Sequence, residues 1–104
     1  MNLGIDYLRI FTDAYIDCCA WVNEDNEGFE LGANYFDKIE RDCAKFIDCA
    51  KGYLKDLSAS ESGHDFYLTR NGHGSGFWDR GYEKTISDAL CAISKAFGES
   101  YEGI

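Results

Sequence analysis

The strongest constraint on the fold is a long helical repeat in the middle of the chain. Apolar residues recur there at alternating spacings of three and four positions, at Phe36, Ile39, Cys43, Phe46, Ala50, Tyr53 and Leu57. This spacing places all of them on one face of an α-helix. We therefore predict a helix over about residues 35–57, with Asn34 as its N-cap.

Two shorter stripes predict two more helices. The first covers about residues 5–22 and contains Leu8, Phe11, Tyr15, Cys18 and Val22, with Tyr7, Ala14 and Trp21 widening the same face. The last begins near residue 82 or 85 and is stopped by Gly98, with Ile86, either Ala89 or Leu90, Ile93 and Phe97 on its apolar face. Because polar residues and glycines separate the first two helices, we predict that they form an antiparallel helical hairpin.

Residues 64–82 show no helical period. Phe66 and Leu68 alternate with other residues as in a strand, and Asn71-Gly72 is a turn signal. We predict a linker at residues 58–63 and then a β-hairpin with its tip at residues 71–76. The predicted fold is thus α+β and mainly helical, with an antiparallel helical hairpin, a small β-hairpin and a third, C-terminal helix in a single domain, residues 1–104.

The charge distribution indicates which kinds of partner the chain can bind. The net charge is −9, and residues 1–30 carry seven acids against Arg9 alone. Asp6, Asp13 and Asp17 form a stripe on the far side of the first helix. This stripe is either a solvated face or a recognition surface that imitates nucleic-acid phosphates. So acidic a chain should be repelled by nucleic acid and by anionic membranes, and its natural complement is a basic protein.

Cysteine usage and the N-terminus indicate a compartment. The five cysteines are odd in number and lack C-x-x-C spacing, which is typical of reduced cysteines in a cytosol. The N-terminus has no basic leader, and no apolar run approaches the ~20 residues of a membrane span. We expect a cytoplasmic protein without a membrane association.

The candidate chemistry lies within residues 64–82. His64, Asp65, His73 and Asp79 lack the paired spacing of metal ligands, so we predict no metal, cofactor or catalytic residue. A glycine-rich loop at residues 72–76, flanked by Arg70 and Arg80, is a possible cradle for phosphate.

Two other interpretations of this stretch remain open. The two arginines could pair with Asp65 and Asp79 and fix the hairpin. Alternatively, residues of the types that most often carry interface energy gather here as a protein-binding hot spot, namely Tyr67, Arg70, Trp78, Arg80 and Tyr82.

The same stretch carries a resemblance. The string His64-Asp65-Phe66-x-Leu68-Thr69-Arg70-Asn71-Gly72-His73-Gly74-x-Gly76-Phe77-Trp78-Asp79-Arg80 resembles the signature of small proteins encoded by tailed bacteriophages, prophages and related mobile elements. Asp42-Cys43-x-x-Phe46 and Ala96-Phe97-Gly98 are similar to the same set, so the likeness covers about residues 35–98. The resemblance implies no catalytic residue and no cofactor. It implies an accessory role in which the protein binds a host or defence component.

These observations give a main expectation and two alternatives. We expect a non-enzymatic phage or mobile-element protein in the host cytoplasm that inhibits a defence system, of the anti-CRISPR or anti-restriction type. Its partner would be a CRISPR effector or another nucleic-acid-binding defence protein. The expected contact residues are Asp6, Asp13, Asp17, Tyr67, Arg70, His73, Trp78 and Arg80. The alternatives are a nucleotide- or phosphate-binding domain centred on Arg70, His73 and Arg80, and a role in phage particle assembly.

Overall fold

The computed structural model describes residues 5–22, 33–54, 57–72 and 76–98. Within these ranges the chain forms four α-helices and one short 3-10 turn: α1, Ile5–Val22; α2, Ala33–Leu54; α3, Ala59–Arg70; the 3-10 turn, Phe77–Asp79; and α4, Lys84–Ala96. The helices predicted at α1, α2 and α4 are confirmed, but Asn34 lies within α2 and is not its N-cap. The described part of the chain contains no strand, so the predicted α+β class is wrong and the fold is all-helical.

The third helix replaces both the predicted linker and the first predicted strand. Ser58 caps it, since the Ser58 hydroxyl accepts a hydrogen bond from the Glu61 amide at 3.2 Å. Ser-x-x-Glu is a known sequence signal for a helix start, so this beginning could have been recognised.

Burial explains why the rest of α3 does not look helical in the sequence. Its buried residues run almost without interruption from Ser62 to Arg70 and include both Phe66 and Leu68. A helix enclosed on nearly all sides has no polar face, and without one the period of 3.6 residues disappears. The alternation of two apolar residues was therefore misread as a strand.

The predicted hairpin tip coincides with the end of α3. Asn71 is the C-cap, and Gly72 follows with a φ of 71°. Only glycine adopts this left-handed conformation readily, and it commonly ends a helix. Asn71-Gly72 is thus a stop signal for a helix. The second predicted strand is the 3-10 turn, and residues 73–75 lie outside the described ranges.

Stacked aromatic rings form the core. Phe46 and Phe66 stack with their ring centroids 4.2 Å apart, and Phe66 meets Phe97 edge-on at 5.3 Å. Phe77 places the 3-10 turn against the same cluster, 5.9 Å from Phe46. The turn is therefore anchored to the core even though Trp78 and Asp79 are exposed.

The α1 helix packs more extensively against α3 than against α2. A glycine makes this close approach possible, because a Cβ atom on Gly63 would collide with the backbone carbonyl of Phe11. α3 is therefore the central element of the bundle. None of the described helices has the length and apolar character needed to span a membrane.

Candidate functional site

Two of the predicted contact residues, Tyr67 and Arg70, lie in the interior. The Arg70 side chain is only 2% exposed. Its Nη1 donates to the Asp42 carboxylate at 2.9 Å and to the Tyr15 hydroxyl at 3.2 Å. Its Nε donates to the Gly98 carbonyl at 2.9 Å. Arg70 therefore joins four segments of the fold, and it can reach a partner only if the bundle opens.

The charge of Arg70 is stabilised where it lies. Burial disfavours the guanidinium, but Tyr15 and Asp42 outweigh that effect, and the pKa of Arg70 is raised. Burial likewise acts to raise the pKa of Asp42, but hydrogen bonds from Arg70 and Lys38 outweigh burial and leave that pKa below its ordinary value. The two groups form an internal ion pair.

Arg80 forms a second ion pair at the surface. Its Nε and Nη2 donate to the two oxygens of the buried Asp65 carboxylate at 2.8 and 3.1 Å. Its Nη1 donates to Glu61 at 3.2 Å. The hydrogen bonding that Arg80 donates to the Asp65 carboxylate is the main reason that the pKa of Arg80 is raised. The predicted pairing of Arg80 with Asp65 is therefore present, but it joins the end of the 3-10 turn to α3 and not two strands.

A depression of about 250 Å³ opens beside this ion pair. It is lined by His64, Asp65, Leu68, Gly76, Asp79 and Arg80. Five of these six lining residues are polar or glycine. The lining combines α3 with the 3-10 turn, so it exists only because Phe77 and Arg80 hold the turn against the helix.

Two exposed tryptophans each lie beside a residue that lines the depression. Trp78 on the 3-10 turn is 43% exposed, and its ring lies against Gly76, where a Cβ would meet it. Trp21 at the end of α1 is 61% exposed, with its ring 6.3 Å from that of His64. We call Trp21, His64, Trp78, Asp79 and Arg80 the tryptophan face.

Sequence reasoning missed Trp21 as a surface residue and placed it on the buried side of α1. A usable signal was its spacing: it follows Asp17 by four positions and so continues the acidic stripe. Asp6, Asp13 and Asp17 are all exposed, as predicted for the polar side of α1. None of the three has an ion-pair partner among the described residues. The stripe therefore leads directly to the tryptophan face.

Cysteine chemistry has no support at this face. The Cys18 sulfur lies 3.9 Å from His64 Nε2. A catalytic cysteine and the histidine that activates it as a base are paired in a similar way. However, burial, helped by Cys19 and Asp65, raises the pKa of Cys18 to about 12. The thiol is thus protonated at neutral pH and packs as an apolar group.

Across residues 5–22, 33–54, 57–72 and 76–98, no group of three or more His, Cys, Asp or Glu side chains is placed to hold a metal ion. His73, one of the predicted contact residues, lies outside these ranges.

Neither a protein-family model, nor a curated protein, nor a solved structure matches this chain. The fold and the face together define a small helical protein with an exposed surface rich in tryptophan and charge.

Proposed function

We propose that this protein acts by stoichiometric binding to another protein through the tryptophan face. In its specific form, the proposal is a phage or mobile-element accessory protein that inhibits a host defence system in the cytoplasm, of the anti-CRISPR or anti-restriction type. The observation that carries the binding role is the exposure of Trp21 and Trp78, each of which lies beside a residue that lines the same depression. The motif at residues 64–80 supports the phage origin.

Exposed tryptophans favour association. Each aromatic side chain of this size buries 150–250 Å² when it is fully covered, and apolar area is worth about 25 cal/mol per Å². Covering the exposed half of one tryptophan would therefore contribute on the order of 2 kcal/mol. Tryptophan and arginine are also the residue types most often found as interface hot spots. Trp78 and Arg80, held by one 3-10 turn, fit this description.

Charge favours a basic partner. The chain has a net charge of −9, and the exposed stripe of Asp6, Asp13 and Asp17 leads toward Trp21. A protein with a nucleic-acid-binding groove offers the complementary positive surface. Such a partner would account for both the stripe and the face with a single contact.

The alternative phosphate-binding function has less support. It requires free guanidinium groups, but Arg70 is engaged with Asp42, and Arg80 is engaged with Asp65 and Glu61. Both arginines are thereby neutralised by carboxylates of the same chain.

The test is a binding titration with purified proteins. CRISPR effectors and restriction enzymes, each without nucleic acid, would be titrated with this protein by calorimetry, and their nuclease activity would be measured in parallel. We expect one of them to bind with a defined stoichiometry and lose activity. Trp21→Ala and Trp78→Ala should each weaken binding at least about tenfold, the effect of a typical hot spot.

A matched control is Tyr53→Ala, which removes an exposed aromatic side chain of α2. It should bind as the parent protein does. The proposal fails if no defence protein binds, or if the tryptophan variants bind as tightly as the control.

A further inference from the structure

The charges around the depression are unbalanced. Arg80 uses Nε, Nη1 and Nη2 on two carboxylates, those of Asp65 and Glu61. Asp79 is exposed, and its carboxylate forms no ion pair with any residue that the structure describes. One positive charge thus stands against three negative charges, a balance of −2.

This charge balance indicates whether the ligand of the depression is an anion or a cation. An anion would be repelled by Asp79, and the charge of Arg80 is already offset by the carboxylates of Asp65 and Glu61. A cation would gain Asp79 as a counter-ion, and the exposed rings of Trp21 and Trp78 beside the lining are aromatic groups of the kind that attract cations. The charge at this depression therefore favours a cation over a phosphate group.

Size limits the ligand further. The depression holds about 250 Å³. Pockets for drug-sized ligands and cofactors measure about 300–1,000 Å³. The volume suits one side chain better than a complete nucleotide or cofactor.

From these observations we infer that the depression is a recognition pocket for an arginine or lysine side chain of a basic partner protein. Asp79 is the counter-ion, and the two tryptophans, beside His64 and Gly76 of the lining, supply aromatic rings near the cationic group. The inference rests on the proposed function and adds the chemical group that the tryptophan face recognises. The Arg80–Asp65 pair is the positioning element, because it holds the 3-10 turn that carries Asp79.

The pocket can be tested without the partner. The chain contains two tryptophans, and each lies beside a residue that lines the depression, so intrinsic fluorescence reports on it. The probes are blocked tri-arginine, blocked tri-glutamate and inorganic pyrophosphate, each titrated at constant ionic strength. The variants are Asp79→Asn and, as a control, Asp37→Asn, which removes an exposed carboxylate from a separate depression on α2. Both variants change the net charge by the same amount.

We expect tri-arginine to shift the fluorescence saturably, with weaker or no binding of the two anions. Asp79→Asn should weaken tri-arginine binding at least about threefold, the effect of a partly exposed ion pair, whereas Asp37→Asn should leave it unchanged. Absence of saturable tri-arginine binding, equal or better binding of pyrophosphate, or equal effects of the two variants would each overturn the pocket.

The two proposals fail in different ways. If tri-arginine binds as expected but no defence protein forms a complex, the pocket stands and the inhibitor role fails. If a defence protein binds, Trp78→Ala prevents binding and Asp79→Asn does not weaken it, the inhibitor role stands and the cation pocket is refuted.

Discussion

Arg70 on α3 lies 2.9 Å from Asp42 on α2, and the same guanidinium donates to the carbonyl of Gly98 just beyond α4. A further hydrogen bond reaches the Tyr15 hydroxyl on α1. The aromatic rings of Phe66 and Phe97 lie 5.2 and 5.7 Å from the Arg70 carbon Cζ, within cation–π range. One buried side chain therefore ties together all four helices of the described bundle.

Replacing Arg70 should destabilise the fold. Arg70→Met keeps much of the volume but leaves the Gly98 and Phe97 carbonyls and one side of Asp42 without a donor. Breaking a buried pair by removing one partner costs about 3–5 kcal/mol, and because Asp42 is 20% exposed and keeps Lys38, we expect about 3 kcal/mol. Urea unfolding measures this loss. Arg41→Met, at an exposed position of α2, is the control and should change stability by less than about 0.5 kcal/mol. Equal stabilities of the two variants would contradict a structural role for Arg70.

Asp42 should make stability depend on pH in the acidic range. Its pKa in the folded protein lies below the ordinary value of 3.8, so the carboxylate contributes stability that is complete above that value and is lost as the pH falls through the folded pKa. Asp42→Asn should therefore cost most at neutral pH, and its difference from the parent should shrink below about pH 4. Unfolding midpoints between pH 7 and pH 2.5 give the comparison. Asp48→Asn, at an exposed position on α2, should show a much smaller difference throughout, and a constant gap for Asp42→Asn would refute the assignment.

Two glycines should respond in opposite directions to alanine. Gly63→Ala would place its Cβ in the Phe11 carbonyl and force α1 and α3 apart, so we expect a loss of more than about 2 kcal/mol. Gly52→Ala lies in α2 with no atom within 4 Å of the added Cβ, so it should gain about 0.5–1 kcal/mol from helix propensity. Thermal and urea unfolding measure both. If Gly63→Ala were also stabilising, the close approach of α1 and α3 would be wrong.

The start of α3 can be tested at its cap. Ser58→Ala removes the hydroxyl that accepts from the Glu61 amide and should cost about 1 kcal/mol. Ser60→Ala, at an exposed position in the first turn of the same helix, should be neutral or slightly stabilising because alanine favours helices. Equal effects of the two variants would argue for a helix that begins elsewhere.

The cysteines should differ sharply in reactivity. Cys18 is buried with a pKa of about 12, whereas Cys49 is exposed. Iodoacetamide at pH 7.5, followed by mass spectrometry, should modify Cys49 first and Cys18 only after unfolding. Rapid modification of Cys18 in the folded protein would contradict its assignment as an unreactive, protonated thiol and would support a nucleophilic thiol beside His64.

Much of the helical framework could be predicted because α1, α2 and α4 each have one buried and one exposed side. In α2, for example, Phe46 and the other buried apolar residues recur at spacings of three and four positions. The exposed polar residues between them make this helical period visible in the sequence. α3 could not be recognised this way, since its surroundings bury Asp65, Thr69 and Arg70 together with Phe66. Burial of polar residues depends on partners supplied by other helices, and a local pattern does not contain them.

The same distinction applies to the tryptophan face, of which the sequence predicted one part and not the other. The sequence by itself determined the exposed acidic side of α1 and identified Trp78 and Arg80 as residues of the type that binds proteins. Only the tertiary structure decided that Arg70 lies inside while Arg80 lies at the surface, although both are arginines of the same motif. It also brought Trp21 beside His64, which is 43 positions away in the chain. The physical reason is that ion pairs such as Arg70–Asp42 and Arg80–Asp65 form between helices, and their geometry exists only once the helices have packed.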